Sequence, residues 1–277
     1  KSIVNTLTMT VPKGTLNFEL GITAKATELS NNDSEIYTVS DKIAYGMDET
    51  NTLTFGKAST NLVVTLDVSG SMAESVTDSS SKSVTRFKIA IDSMIETIKA
   101  YKANGQTEVN LTLFGDGAKN IGWMSADGAI DYLSKLTLTS NSIKYNGTSI
   151  SGLSTSGTDY DSALKSTMIV DFTGHKADNT IAYFLSDGAP TKNTTSTDSD
   201  NDKTIKDWKE YVTTNIDSLN VVGIGSGAKE APLKIIQVQD GDKVIMATTD
   251  ATLGNILLGT VSVTISGNAT DNIFGGD

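Results

Sequence analysis

The feature that most constrains this sequence is a short apolar run that ends in a cluster of oxygen-bearing side chains. The run Asn61-Leu62-Val63-Val64-Thr65-Leu66-Asp67 is almost continuously apolar, which is typical of a strand buried on both faces in a parallel sheet. Asp67, Ser69 and Ser71 then alternate around Gly70. Because alternate residues of an extended segment share a side and glycine permits a tight turn, these three side chains are predicted to face one point.

Strands and helices alternate through the following residues. Apolar residues recur at helical spacing from Arg86 to Tyr101, which predicts an amphipathic helix. Further patterns predict strands over 108–114, 180–185 and 219–224, and helices over 127–136, 159–170 and 203–216. This alternation indicates an α/β fold with a doubly wound, mostly parallel sheet flanked by helices, in which ligands bind beyond the carboxyl ends of the strands. Residues 1–56 show the alternation of short strands instead and predict a β-rich N-terminal appendage.

Two later segments also place polar side chains where a strand meets a helix. Ser156-Gly157-Thr158-Asp159 leads into the predicted helix 159–170, and Ser186-Asp187-Gly188 follows the predicted strand 180–185. Each segment has a simpler interpretation when taken alone. The loop after Asp67 is compatible with a turn held by local hydrogen bonds, Thr158 and Asp159 with a helix N-terminus, and Asp187 with an ordinary turn.

Together the three loops resemble the metal-ion-dependent adhesion site of von Willebrand factor A domains. The resemblance covers roughly residues 60–260 and implies a von Willebrand factor A, Rossmann-like fold. The metal ligands that it implies are Asp67, Ser69, Ser71, Thr158 and Asp187. Two features depart from the family pattern, namely the long polar segment between Ser71 and the first helix, and the N-terminal segment.

The chemistry of this ligand set favours binding over catalysis. Two carboxylates and three neutral hydroxyls suit a hard divalent cation such as Mg²⁺ or Ca²⁺, with Mn²⁺ also compatible. Because most of the direct ligands are neutral, the ion retains positive charge and attracts a carboxylate or another oxygen of a partner. We therefore expect a binding module and no enzyme, and we expect the ligands to be exposed loop side chains.

Two enzyme classes are disfavoured by single residues. Phosphatases of the haloacid dehalogenase type have an Asp-x-Asp motif at the first loop, and its second aspartate is the general acid. This chain has Ser69 at that position, and serine is a poor proton donor. His175 is the only histidine, so a Ser/His/Asp triad or a histidine-based zinc site is not expected.

Charge and composition restrict the partners. The chain has 33 acidic and 22 basic residues, a net charge of -11 that disfavours nucleic acid and favours cations. It has no cysteine, which excludes disulfides and thiolate metal sites. No stretch reaches the roughly 18 apolar residues that span a bilayer, so we expect no membrane insertion. We also expect the chain to be a monomeric module of a larger protein.

The C-terminal residues 267–277 resemble the start of a repeats-in-toxin array, in which glycine and aspartate repeats bind Ca²⁺. Such repeats after an A domain resemble bacterial type I-secreted adhesins, which attach cells to hosts and other surfaces, as in biofilms. The expected organisation is an appendage over 1–56, an A-like domain over 57–260, and a C-terminal strand with the repeat start over 261–277. The strands of the appendage are expected to pair with residues 261–265. The acidic segment 197–202 is compatible with a solvated loop or with a second Ca²⁺ site.

The main function hypothesis is extracellular adhesion at a bacterial cell surface, through a metal-bridged protein or glycan ligand. The alternative is the assembly arm of an intracellular ATP-driven complex, such as a metal chelatase, that grips a partner subunit through the same metal site. Secretion of the parent chain discriminates between the two.

Overall fold

A computed structural model of the chain describes residues 56–77, 83–188, 190–191, 203–225, 227–239, 244–247 and 250–261, and strands at 6–8, 17–27, 34–44, 52–54 and 265–266. The chain divides into two units. One comprises Ser59–Val261, and the other comprises Lys1–Ala58 with Ser262–Asp277.

The smaller unit contains paired antiparallel strands. Its strands are β1 (Thr6–Thr8), β2 (Asn17–Thr27), β3 (Ser34–Ala44), β4 (Thr52–Thr54), β5 (Gly56–Lys57) and β17 (Ile265–Ser266), the last strand of the chain. β1 pairs with β4, and β2 pairs with β3 over eleven residues each, longer than the short strands expected. β17 pairs with β5, with Ile265 opposite Lys57 and Ser266 opposite Gly56. Lys57 lies just outside the predicted appendage 1–56, so this pairing is close to the predicted one but does not match it.

The larger unit alternates strands and helices along the chain. Its strands are β6 (Thr60–Asp67), β7 (Ser75–Thr77), β8 (Ser83–Thr85), β9 (Thr107–Gly115), β10 (Gly117–Ser125), β11 (Leu136–Thr139), β12 (Ser142–Tyr145), β13 (Thr148–Ser149), β14 (Asn179–Ser186), β15 (Ser218–Ile224) and β16 (Ile245–Ala247). Its helices are α1 (Arg86–Asn104), α2 (Ala126–Ser134), α3 (Tyr160–Met168), α4 (Lys203–Asn215), α5 (Glu230–Ile236) and α6 (Asp250–Gly259), with a 3-10 turn at Gly70–Ala73.

Six of these strands form one sheet in the order β10-β9-β6-β14-β15-β16. All neighbouring pairs are parallel except β10 with β9. The sheet is mostly parallel and flanked by helices, so the predicted fold class is confirmed. β9 lies on one side of β6 and β14 on the other, so the winding direction reverses at β6. This reversal opens a crevice at the carboxyl ends of β6 and β14, where doubly wound folds bind ligands.

Burial explains why the first strand of this sheet is central. All eight residues of β6 are buried, because hydrophobic clusters lie on both faces of the sheet. Leu62, Val64 and Leu66 belong to the cluster that also contains residues of α1, α2 and α6. Val63 faces the other cluster, with residues of α3, α4 and α5. The continuous apolar run therefore reflects a strand covered on both sides.

The predicted helices and strands of the larger unit agree with the structure to within a few residues, but some elements were not predicted. β10 is an antiparallel edge strand whose residues are mostly half-buried. Residues 136–149 form the small sheet β11-β12-β13. The segment predicted as a long polar loop before α1 contains the 3-10 turn and the hairpin β7–β8. Among the described residues, no helix is long and apolar enough to cross a membrane.

The two-sided core predicts a large difference between two isoleucines. Ile98 of α1 is 0% exposed, whereas Ile169, just after α3, is 71% exposed. Ile98→Ala is expected to lower the free energy of unfolding by about 3 kcal/mol, through lost burial and the cavity it leaves. Ile169→Ala makes the same chemical change at the surface and is expected to stay within about 0.5 kcal/mol of the parent. Urea titration of both variants tests this, and equal losses would contradict the burial assigned to α1.

Candidate metal centre

The two predicted carboxylates lie at the ends of adjacent parallel strands. Asp67 is the last residue of β6, and Asp187 directly follows β14. Leu66 pairs with Leu185 in the register of these strands, so both carboxylates lie at the same edge of the sheet. This is the crevice at which the winding of the sheet reverses.

A chain of hydrogen bonds joins four of the five predicted ligands. The Ser69 amide donates to Asp67 Oδ1 at 2.7 Å, and the Ser69 and Ser71 hydroxyls are 3.0 Å apart. The Ser71 hydroxyl donates to Asp187 Oδ1 at 2.9 Å. The structure therefore brings Asp67, Ser69, Ser71 and Asp187 into one cluster built from two separate loops.

Thr158 is positioned through its backbone. Its amide donates to Thr191 Oγ1 at 2.9 Å, and the Thr191 amide donates to the Thr158 carbonyl at 2.8 Å. The second loop is thus tied to the segment that follows Asp187. Asp159 is the N-cap of α3 and accepts from the Ser162 amide at 3.0 Å, so capping belongs to Asp159 and leaves the buried Thr158 for another role.

Gly70 is required by a close approach between loops. A Cβ at this position would lie 2.9 Å from the Ser140 carbonyl oxygen and 3.3 Å from that of Thr155. The Gly70 amide also donates to the Thr155 carbonyl at 2.7 Å. The glycine was expected to relieve a tight turn, whereas the structure shows that it lets the first loop lie against its neighbours.

A second network of hydroxyl groups holds the other carboxylate oxygen of Asp67. Ser186 Oγ donates to Asp67 Oδ2 at 2.6 Å, and the Tyr160 hydroxyl lies 3.0 Å from Ser186 Oγ and 2.6 Å from the Gly188 carbonyl. Sequence reasoning did not assign Ser186 or Tyr160 to the site. The available signal for Ser186 was a polar residue at the end of an otherwise apolar strand.

Arg86 is the other residue of the site that sequence reasoning missed. Its Nη1 donates to Asp187 Oδ2 at 2.9 Å and to the Ser71 carbonyl at 3.2 Å, and it lies 3.1 Å from Glu74 Oε2. Arg86 is the first residue of α1, where the positive end of the helix dipole disfavours a cation. A basic residue at the start of a helix is unfavourable, and it was the available signal that a carboxylate lies nearby.

The electrostatics of the site show an excess of buried negative charge. Asp67 is 0% exposed and Asp187 is 3% exposed, so the expectation of exposed ligands was wrong. Burial, with a smaller contribution from the charge of Asp187, raises the pKa of Asp67 to about 7. Burial also raises the pKa of Asp187, against the opposing effects of its hydrogen bonds from Ser71 and Arg86. A bound cation would stabilise the ionised form of both carboxylates, so their raised pKa values are consistent with a cation site.

The donor set fits a hard divalent cation. Two carboxylates and neighbouring hydroxyls supply only oxygen, the element that Mg²⁺ and Ca²⁺ prefer. In the described part of the chain, no group of three or more His, Cys, Asp or Glu side chains converges as a metal site. The candidate set has only two such residues, so it depends on its serine and threonine hydroxyls.

The remaining sequence candidates lie elsewhere. His175 Nδ1 is 2.8 Å from Glu108 Oε2, and the imidazole stacks on Trp123 at a ring-centroid distance of 4.5 Å. These contacts give His175 a packing role. The acidic segment 197–202 and the C-terminal segment 267–277 lie outside the described residues.

No family model and no curated protein matches this sequence. Among solved structures, the chain is similar to the PilB minor pilin from Streptococcus sanguinis, with a TM-score of 0.52 and 15% identity over 91% of this chain and 75% of the pilin. Proximal thread matrix protein 1 from the mussel byssus gives a TM-score of 0.50 and 13% identity over 77% of this chain and 49% of that chain. This chain therefore spans about half the length of the mussel protein.

Another structure of the mussel protein has a metal-ion-dependent adhesion site motif occupied by zinc. A von Willebrand factor type A protein from Catenulispora acidiphila gives a TM-score of 0.49 and 16% identity over 91% of this chain and 50% of that chain. Residues 59–261 have a mostly parallel sheet flanked by helices, which is a von Willebrand factor A-like α/β fold. The crevice between β6 and β14 holds the loops that begin at Asp67 and Asp187, and the Thr158 loop is tied to the second of them through Thr191.

The raised pKa of Asp67 predicts an unusual pH dependence for the stability of the metal-free larger unit. Between its ordinary value near 4 and about 7, the folded chain binds a proton that the unfolded chain has lost, so stability falls as pH rises through this window. Asp67→Asn is neutral at every pH. Its unfolding free energy relative to the parent is therefore expected to rise between about pH 4 and pH 8, by roughly 2–4 kcal/mol.

Urea titrations in EDTA across this pH range measure the difference. A parent protein that gains stability over Asp67→Asn as the pH rises would show that Asp67 ionises without cost.

Proposed function

We propose that the larger unit is a metal-dependent adhesive binding domain and not an enzyme. Asp67, Ser69, Ser71, Thr158 and Asp187 would hold the divalent cation. The observation that carries the proposal is the hydrogen-bond chain from Asp67 through Ser69 and Ser71 to Asp187, which gathers oxygen ligands from two loops at one strand edge. Mg²⁺ and Ca²⁺ are the preferred ions, and Mn²⁺ is compatible with the same ligands.

The hydroxyls and the carboxylates have distinct tasks in this proposal. Ser69 and Ser71 offer neutral hydroxyls, while Asp67 and Asp187 offer the charge. Ser186 donates to Asp67 Oδ2 and so fixes the orientation of that carboxylate, as second-layer hydrogen bonds do at metal centres. The bound ion would supply an open position for a carboxylate or other oxygen of a protein or glycan ligand.

The groups around the site favour binding over turnover. Burial raises the pKa of Tyr160 well above its usual range, so its hydroxyl stays protonated and donates to the Gly188 carbonyl. The Ser186 hydroxyl donates to Asp67, and the Asp187 carboxylate accepts from Arg86 and Ser71. These hydrogen bonds hold the groups in fixed orientations, as expected of a preformed binding site.

Adhesion at the cell exterior is the setting we propose for this site. The fold similarity to a pilin and to a byssal thread protein supports it, as does the net charge of -11, which suits a cation-rich exterior. We further propose a monomeric module of a longer bacterial surface protein, with the division 1–56, 57–260 and 261–277 and a Ca²⁺-binding C-terminal repeat region. The intracellular assembly arm remains the competing proposal, and detection of the parent chain outside intact cells would reject it.

Metal binding is the first test of this proposal. Asp67→Asn and Asp187→Asn are each expected to abolish Mg²⁺ and Mn²⁺ binding in isothermal titration calorimetry, because each removes one of only two charged ligands. Asp92→Asn is the matched control. Asp92 lies on the exposed side of α1 and pairs with Lys88, so its loss is expected to change affinity by less than about twofold. Unchanged binding by both site variants would reject the centre.

Ligand capture is the second test. The parent protein and the three variants are applied to glycan and extracellular-matrix protein arrays in Mg²⁺ or in EDTA. Attachment is expected only for the parent and Asp92→Asn, and only with the metal, because the ion provides the contact with the ligand. Attachment that persists in EDTA and in Asp187→Asn would show that adhesion does not use this site.

A further inference from the structure

Arg86 contacts the same carboxylate that the cation would use. Its Nη1 is 2.9 Å from Asp187 Oδ2, and the Asp187 side chain has no exposed surface. A guanidinium in this position already supplies positive charge to the carboxylate. A divalent cation bound to Asp187 would lie within a few ångströms of it, where two like charges repel strongly.

The position of Arg86 is costly without its carboxylates. Arg86 Nε is buried and has no hydrogen-bond partner among the described residues. The residue also begins α1, where the helix dipole repels a cation. Attraction to Asp187 and Glu74 therefore outweighs the buried, unpaired Nε and the repulsion by the helix dipole. If the attraction to Asp187 is lost, the guanidinium is expected to leave this position.

The surroundings leave room for the guanidinium on one side and offer another acceptor on the other. Gly225 has a φ of +84°, and a Cβ there would lie 3.0 Å from Arg86 Nε, so a side chain at this position would crowd the arginine. Glu74 Oε2 lies 3.1 Å from Arg86 Nη1, and the Glu74 side chain is 64% exposed. The Arg86 amide also donates to the Glu74 carbonyl at 3.1 Å, which keeps the two residues together.

We infer that Arg86 is an internal counter-cation that competes with the divalent ion for Asp187 and shifts toward Glu74 when the ion binds. This inference rests on the proposed metal centre and concerns its regulation. The arginine keeps the metal-free crevice neutral enough to remain folded, and it lowers the affinity for the ion. Loading of the site is thereby coupled to the first turn of α1.

The test compares Mg²⁺ affinity in Arg86→Met and Lys88→Met by isothermal titration calorimetry. Both variants remove one positive charge from α1, but Lys88 pairs with Asp92 on its exposed face. Arg86→Met is expected to bind Mg²⁺ about tenfold more tightly or better, equivalent to about 1.4 kcal/mol. Lys88→Met is expected to remain within about twofold of the parent.

Arg86→Lys provides a charge-retaining comparison and is expected to return affinity toward that of the parent. Circular dichroism in saturating Mg²⁺ confirms that each variant is folded, and the Mg²⁺-induced rise in Tm is expected to be larger for Arg86→Met than for the parent. An affinity of Arg86→Met equal to or weaker than that of the parent would overturn the inference while leaving the metal centre intact. If neither the parent nor Arg86→Met binds Mg²⁺ at millimolar concentration, the metal centre and the inference are both contradicted.

A double-mutant cycle tests the role of Glu74. Glu74→Gln removes the alternative acceptor and is expected to weaken Mg²⁺ binding severalfold in the parent. In the Arg86→Met background the same change is expected to have a much smaller effect, because no guanidinium remains to be received. An equal effect in both backgrounds would show that Glu74 acts on the ion directly and would contradict the shift of Arg86 toward Glu74.

Discussion

Two buried carboxylates at the ends of adjacent parallel strands are the constraint on which the larger unit depends. Asp67 and Asp187 are almost completely removed from water, and an isolated buried charge is far too costly to persist. The surrounding structure therefore has to compensate them. It does so with the Ser69 amide, the hydroxyls of Ser71 and Ser186, and the Arg86 guanidinium.

These compensating groups come from several parts of the fold. Ser69 and Ser71 belong to the first loop and Ser186 ends β14, whereas Arg86 is the first residue of α1 and Tyr160 the first residue of α3. One helix on each face of the sheet therefore begins at the crevice, with a residue that contacts the site. The burial that stabilises the sheet is also the burial that raises the pKa of Asp67. Stability of the core and demand for a cation are two results of one arrangement.

Much of the larger unit could be predicted from the sequence because its signals are local. The apolar run of β6 indicates a strand covered on both faces, and the helical spacing after Arg86 indicates α1. The antiparallel edge strand β10 and the small sheet of residues 136–149 were missed. The residues of β10 are half-buried and the strands of the small sheet are short, so both have weak apolar patterns and depend on their neighbours. The domain division 1–56, 57–260 and 261–277 and the roles of the segments 197–202 and 267–277 stay predictions.

The sequence by itself determined the chemistry of the candidate site, because the type and order of oxygen-bearing residues in three loops are written in the chain. Only the tertiary structure decided how far those residues are buried, that Ser186 supports Asp67, and that Arg86 reaches Asp187. The physical reason is that a carboxylate's cost and its counter-charge depend on distances across the fold. Arg86 and Asp187 lie 101 positions apart in the chain, and no local pattern encodes their contact.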